Sequence, residues 1–371
     1  MLKTQATLRQ NGIRQKSLRR CCRFGRATEL VFVLATGATV LLPATATAAD
    51  VTWTGANDTS WNEGDGNWTG GTGSDFTDND NVTFGAAANG TTVSIDVSGT
   101  VTATTLTSTA TGFIIAATLQ GTDDLTTTGL ISIDAGDTTI TSRATLAGGI
   151  SVAAGATLNL NAGTSIGTAA SNAGTLAFNA VSTLNTGLSN TGTLDINSTV
   201  DGVQALTNSG TATIAGAVAG SYTQTAGATT VDGDATITGG FTTTGGTLTV
   251  DATRTLTLGA SSSAAGTLDV NGTIDGGQTI TNNGTATLAG DIDGVFVQNS
   301  GNTDVDGTSS VSGLMNIGGG TLDINSGQTL TASGGLVIGG TLDHNGTLLG
   351  DLTVSSGSTA NLKGNVTGTA V

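Results

Sequence analysis

A 74-residue duplication constrains this chain more than any other feature. Residues 192–265 (GTLDINSTVDGVQALTNSGTATIAG…) align without a gap on residues 266–339 (GTLDVNGTIDGGQTITNNGTATLAG…), with about thirty positions identical. Each copy contains a shorter unit headed by glycine. Gly174, Gly192, Gly210, Gly227, Gly246, Gly266, Gly284, Gly301, Gly320 and Gly340 follow one another in nearly even steps, and Gly357 continues the series more loosely. Four short units therefore make one long one. The period is too short for helical repeats of about 33 residues or for propeller blades of about 40. It fits one coil of a solenoid built from strands.

The pattern inside a coil is that of a half-buried strand. Leu194 and Ile196 alternate with Thr193 and Asp195, as Leu268 and Val270 do with Thr267 and Asp269. Period two places the apolar pair on one face and the polar pair on the other. One coil cannot bury that face alone, so neighbours must stack. In register, Leu176, Leu194, Ala212, Thr229, Leu248 and Leu268 form one internal column, and Phe178, Ile196, Ile214, Val231, Val250 and Val270 the next. The expected fold is all-β: a right-handed parallel β-helix with a short repeat of about 18 residues per coil. Residues 107–371 carry the coils, with the period blurred before residue 170. Asp-Gly and Asn-Gly pairs (Asp201-Gly202, Asp232-Gly233, Asp275-Gly276, Asp306-Gly307, Asn345-Gly346) mark turns that accept positive φ. Asn197, Asn271, Asn325 and Asn345 are expected in the coil corners, as turn residues or stacked ladders.

Charge is divided unevenly. Eight of the 11 basic residues precede residue 27, whereas from Asp50 onward three basic and 26 acidic residues give a net charge of −23. A chain so poor in Lys and Arg is not built to neutralise phosphates, which argues against nucleic acid and anionic lipid as partners. The basic start, the apolar run Leu30 to Leu42, then Pro43 and the small residues ATATAA read as a secretory signal over residues 1–49. Cleavage is expected after Ala49, with Ala46 as the alternative. The apolar run of about 13 residues falls short of the roughly 20 a transmembrane helix needs, so no stable membrane insertion is expected. Cys21 and Cys22 both precede the run, which leaves residues 50–371 without thiols, disulfides or Cys metal sites.

Residues 50–106 differ from the repeats. Trp53, Trp61 and Trp68, with Phe76 and Phe84, suggest a cap over the open N-terminal end of the solenoid, where a strand edge and an exposed core need cover. A sugar-binding aromatic platform is the alternative. The run Trp53-Thr54-Gly55, Trp61, Asn67-Trp68 and Asp80-Asn81-Val82-Thr83-Phe84 resembles the start of autotransporter passengers of Gram-negative bacteria. The Gly-Thr-Leu coils, Gly192 to Ile196, Gly246 to Val250 and Gly320 to Ile324, are similar to the autotransporter-associated β-strand repeats of that family. The resemblance covers essentially all of residues 50–371. It implies a right-handed β-helix, export, and location at the cell surface, in association with the outer membrane, or outside the cell. It also implies an unidentified surface ligand or a host or matrix component as partner. Such passengers are followed by a membrane barrel, for which no strand pattern is legible up to Val371, so the expected translocator is separate or missing.

Few residues offer chemistry. The single histidine, His344, takes the coil position of Ile196, Val270 and Ile324, where it faces either a frayed core or solvent. A lone histidine with no thiol beside it assembles neither a triad nor a His-based metal site. No catalytic residue and no cofactor is expected. A polysaccharide-active β-helix hydrolase is the alternative function, and it would need paired carboxylates; Asp123-Asp124 and Asp291 with Asp293 are the nominees. Asp304, Asp323 and Asp343 recur at one outward position of three successive coils and are the candidate Ca²⁺ ligands, since stacked carboxylates either splay into water or share a cation. Outward pairs such as Thr211 with Thr213 and Thr285 with Thr287 resemble the flat faces that bind ice, but Asp195 and Asp269 interrupt them. The function expected is that of a secreted or surface-displayed, non-catalytic stalk or adhesin.

Overall fold

The structure, a computed structural model, describes residues 48–61, 66–71, 75–95, 100–117, 124–202 and 205–371. The expected signal thus lies almost wholly outside the described residues. Residues Thr47–Val371 belong to one compact unit. Strands and turns account for it; Ala86–Ala88 is the one helical turn among the described residues.

Most coils supply three short strands; in two coils the second and third merge, as Thr273–Asn282 and Asp291–Gln298. In one coil the three are Thr193–Ile196, Val200–Asp201 and Leu206–Asn208, and the next coil opens at Thr211–Ile214. Between the two ends of the stack, strands pair in parallel with their equivalents one coil before and one coil after, so their backbone N–H and C=O groups are used on both edges. Fifteen strands, from Thr92–Ile95 to Thr359–Leu362, stack into one sheet, and the remaining thirty form the other. The chain is a parallel β-solenoid of about 14 turns, with roughly 19 residues per turn. A rise of about 4.8 Å per coil makes the stack on the order of 65–70 Å long.

Both anticipated columns are present. Leu176, Leu194, Ala212, Thr229, Leu248 and Leu268 are paired in register, as are Phe178, Ile196, Ile214, Val231, Val250 and Val270, and all twelve side chains are buried. The average turn is slightly longer than the sequence repeat suggests because the early turns are larger. Thr92 pairs with Ile114 and Phe113 with Thr138, and both steps are wider than any in that sheet from Asp137 onward. The blurred period before residue 170 reflects these wider corners.

The periodic glycine is set by contact between coils. A Cβ on Gly192 would lie 2.1 Å from the carbonyl oxygen of Gly174, and one on Gly284 would lie 2.1 Å from that of Gly266. That same Gly174 oxygen accepts the N–H of Thr193 at 2.7 Å, so the ladder bond and the missing side chain belong to one close approach. Among the expected Asp-Gly turns, Gly202 and Gly276 adopt positive φ (121° and 114°). Gly233, Gly307 and Gly346 do not; a Cβ there would strike Ala215, Ala289 and Gln328 of the coil beneath. At these three the requirement is space and not φ. In the corners Asn197 donates to Asn179 at 2.8 Å and Asn179 to Asn161 at 2.7 Å, an outer ladder that includes one of the four expected asparagines, while Asn325 donates to Asp306 instead.

The N-terminal end is closed by an aromatic cluster. Strand β1 (Asp50–Trp53) pairs antiparallel with β2 (Trp68–Gly70) and parallel with β3 (Asn81–Phe84), and β3 continues into the solenoid at Thr105–Ser108. Trp53, Trp61, Trp68, Phe76 and Phe84 are each no more than 3% exposed. Trp61 stacks edge-on against Phe76 and Phe84, with ring centroids 5.6 and 5.2 Å away, an arrangement that aromatic quadrupoles favour. The rings face inward, so they do not form the sugar platform considered as the alternative. Phe84 meets Phe113 at 4.4 Å and joins the cluster to the solenoid core.

Two polar residues of the same motif fix the cap's turns. The side chain of Asn67, fully buried, accepts from the N–H groups of Asn57 and Asp58 at 2.9 and 3.0 Å and donates to the Asp58 carboxylate at 2.6 Å. Ser60 and Asn67 hold that Asp58 carboxyl below its ordinary pKa. Asp80, 5% exposed, accepts from Ala49 N at 2.9 Å and from Thr77 N and Oγ1, both at 3.0 Å.

Candidate functional site

The fifteen-stranded sheet presents the most regular surface of the molecule. Its inward positions are mostly apolar, and its outward positions fall into two columns. One is mostly threonine: Thr157, Thr175, Thr193, Thr211, Thr247, Thr267 and Thr285 share it. In the other, Thr287 is followed by Asp304, Asp323, Asp343 and Asn361, each paired in register with the next. The three aspartates singled out in the sequence are therefore true neighbours along the stack.

Burial pushes the Asp304 carboxyl up from its ordinary pKa, and the charges of Asp306 and Asp323 add to the rise; a hydrogen bond from Asn302 Nδ2 at 2.7 Å opposes it. Asp343 accepts from Asn361 Nδ2 at 2.5 Å, and one oxygen of Asp323 has no donor. The carboxylates run in file along the rod. Among the described residues no three His, Cys, Asp or Glu side chains form a cluster that could hold a metal ion; Asp304, Asp323 and Asp343 form an acidic stripe one coil apart.

The nominated catalytic carboxylates are occupied structurally. Asp291 and Asp293 share the exposed face of Asp291–Gln298. Asp291 accepts from Ser310 N and Oγ at 2.9 and 2.7 Å, and Asp293 from Ser312 Oγ at 2.6 Å, so each is tied to the following coil. Asp124 forms a two-point ion pair with Arg143 of the next coil, at 2.9 Å from Nε and 2.5 Å from Nη2. Its neighbour Asp123 lies outside the described residues. Of two surface depressions, one is lined by Arg143, Thr145 and Val181 and the other by Leu314, Leu336 and Asp351; neither contains two carboxylates.

His344 resolves to the interior. It is fully buried between Ile324 and Leu362, its Nε2 lies 2.9 Å from the carbonyl oxygen of Asn365, and its Nδ1 has no partner. The ring fills a core position within a covered coil and is not exposed at a frayed end.

Sequence reasoning missed a buried polar file. Asn172, Asn190, Asn208, Gln224, Thr243, Asn282 and Gln298 point inward at equivalent positions and are at most 2% exposed. Asn172 Nδ2 donates to Asn190 Oδ1 at 2.6 Å, Asn190 to Asn208 at 2.6 Å, and Asn208 to Gln224 Oε1 at 2.8 Å. Tyr222 and Thr229 bond to one another and to Gln224 beside this ladder; burial pushes the Tyr222 phenol far up. A signal was available: an amide stands two or three positions before successive repeat glycines, as at Asn190 and Gly192, Asn208 and Gly210, Asn282 and Gly284, and Gln298 and Gly301. These amides also grip the corner, since Gly210 N donates to Asn208 Oδ1 at 3.2 Å and Gly284 N to Asn282 Oδ1 at 3.1 Å.

These features define a parallel β-solenoid with a continuous polar face, an internal amide ladder and an aromatic N-terminal cap. Comparison with protein-family models, with curated proteins and with solved structures finds no match to the chain. Among the described residues no helix is long and apolar enough to cross a membrane.

Proposed function

We propose that this chain is a secreted or cell-surface β-helix, a non-catalytic stalk or adhesin of the autotransporter-passenger type in a Gram-negative bacterium. One observation carries the reading: in the fifteen-stranded sheet the strands stay in register without interruption from Thr92–Ile95 to Thr359–Leu362. A rod of this kind is stiff, because each coil is hydrogen-bonded on both edges and a slip of one residue would turn its leucines into water. Its Asp-rich, Lys-poor surface keeps it soluble and discourages self-association. Outward Thr and Asp positions repeat at each coil, and a surface ligand or matrix component would meet many equivalent weak contacts at once.

Protease treatment of intact cells tests the location. The full-length protein is expected to be degraded from outside, and deletion of residues 1–49 to protect it. A full-length protein found only in the cytoplasm would contradict export. Incubation with bacterial and plant glycans tests the absence of catalysis: sugar release by the wild type that disappears in Asp291→Asn would support the hydrolase instead.

A further inference from the structure

We propose that the exported chain is cut between Ala48 and Ala49, and that the α-amino group so created pairs with the buried carboxylate of Asp80. The inference rests on the export reading above and deepens it.

Signal processing requires small residues at the last and third-last positions before the cut. In Pro43-Ala44-Thr45-Ala46-Thr47-Ala48-Ala49-Asp50, cuts after Ala46 and after Ala48 both place alanine at the two positions. A cut after Ala49, the first expectation from sequence, places Thr47 at one of them. The fold separates the three. Ala49 is already part of the cap: its N–H donates to Asp80 Oδ1 at 2.9 Å and its carbonyl oxygen accepts from Asn81 N at 2.7 Å. Ala48 is exposed, whereas Ala49 is half-buried. Removing Ala49 would delete both contacts at the start of β1 and leave Asp80 Oδ1 without that donor.

Asp80 also lacks a counter-charge. Its other oxygen is held by Thr77, and the one ion pair among the described residues is Arg143 with Asp124. A carboxylate taken out of water with neutral donors alone is costly to keep. Hydrolysis of the Ala48–Ala49 amide adds water across the bond, giving a carboxylate on Ala48 and an ammonium on Ala49. The nitrogen that now donates as an amide would then donate as a cation, a shorter and stronger bond. A cut after Ala46 would leave the neutral amide in place with Thr47 and Ala48 hanging from it. The processing enzyme meets the chain unfolded, so the fold acts through the stability of the product.

The test is to express the full-length chain in an exporting host, recover the protein, and determine its N-terminus by sequencing and intact mass. An N-terminus at Ala49 is the expected result. Thr47 or Asp50 would overturn this inference while leaving export intact; an unprocessed chain beginning at Met1 would overturn both. The ion pair has its own readout, because all three tryptophans lie in the cap. Carbamoylation of the α-amine should lower the urea midpoint of the tryptophan-fluorescence transition and leave that of the solenoid, followed by far-UV circular dichroism, unchanged. Lys363 is the only lysine after residue 48 and lies at the opposite end, so its own modification leaves the cap untouched. An unchanged fluorescence midpoint would overturn the pairing with Asp80.

Discussion

Asn190 Nδ2 donates to Asn208 Oδ1 across one full coil at 2.6 Å, with both side chains sealed inside the solenoid. From Asn172 to Gln224 a polar column persists in a largely apolar interior because each amide donates to the next one along the stack. Asn208 also holds Gly210 N and Gln224 Oε1. Asn208→Ala removes these partners together and should cost about 1–3 kcal/mol for each group left unpaired. The measurement is the shift in urea midpoint followed by circular dichroism.

Gly301 and Gly277 separate two reasons for glycine. Both have positive φ, 81° and 66°. A Cβ on Gly301 would sit 1.8 Å from the carbonyl oxygen of Gly284, whereas one on Gly277 would meet nothing within 4 Å. Gly277→Ala should cost about 1–2 kcal/mol, the ordinary penalty of a left-handed residue. Gly301→Ala should cost well over that, because two coils must move apart. Equal losses in parallel denaturation curves would contradict the stacking account.

His344 occupies a core position whose neighbours in the column are Ile324 and Leu362, and its Nδ1 is buried without a partner. His344→Ile exchanges an unsatisfied polar atom for the side chain found one coil earlier. A gain of about 1 kcal/mol is expected from relieving that atom, read as a raised urea midpoint at pH 7.

The acidic stripe gives a pH prediction. Burial, then the charges of Asp306 and Asp323, raise the Asp304 pKa above its ordinary value of 3.8. The folded state therefore holds the Asp304 proton more tightly than the unfolded state, and stability falls as pH rises through the interval between the two pKa values. Asp304→Asn should stabilise at pH 7, and the gain should shrink to nothing as pH drops below that ordinary value. Urea midpoints of wild type and variant between pH 3 and 7 check both the sign and the window.

What the sequence reveals and conceals follows from which rule each residue obeys. Leu194, Leu268 and their columns were legible because strict alternation has one solution once coils stack. The Asp304, Asp323 and Asp343 register followed from the same step count, but whether the three carboxylates converge depends on side-chain direction, which spacing does not specify. Asn190 and Asn208 escaped because an amide beside a repeat glycine also fits a turn, and only the ladder explains an inward polar column. Gly233 and Gly307 stand at their expected turns for a different reason: the coil beneath leaves no room for a Cβ. Wide early turns, such as Phe113 to Thr138, hid the period where corners lengthen and strands do not.

The stacking itself is open to a distance measurement. Thr211 and Thr359 are exposed and stand eight coils apart in one outward column. With Cys21 and Cys22, the only cysteines, changed to serine, spin labels on Thr211→Cys and Thr359→Cys should report a narrow distribution centred near 38 Å, at about 4.8 Å per coil. A broad distribution, or a centre displaced by more than two coils, would contradict the continuous solenoid.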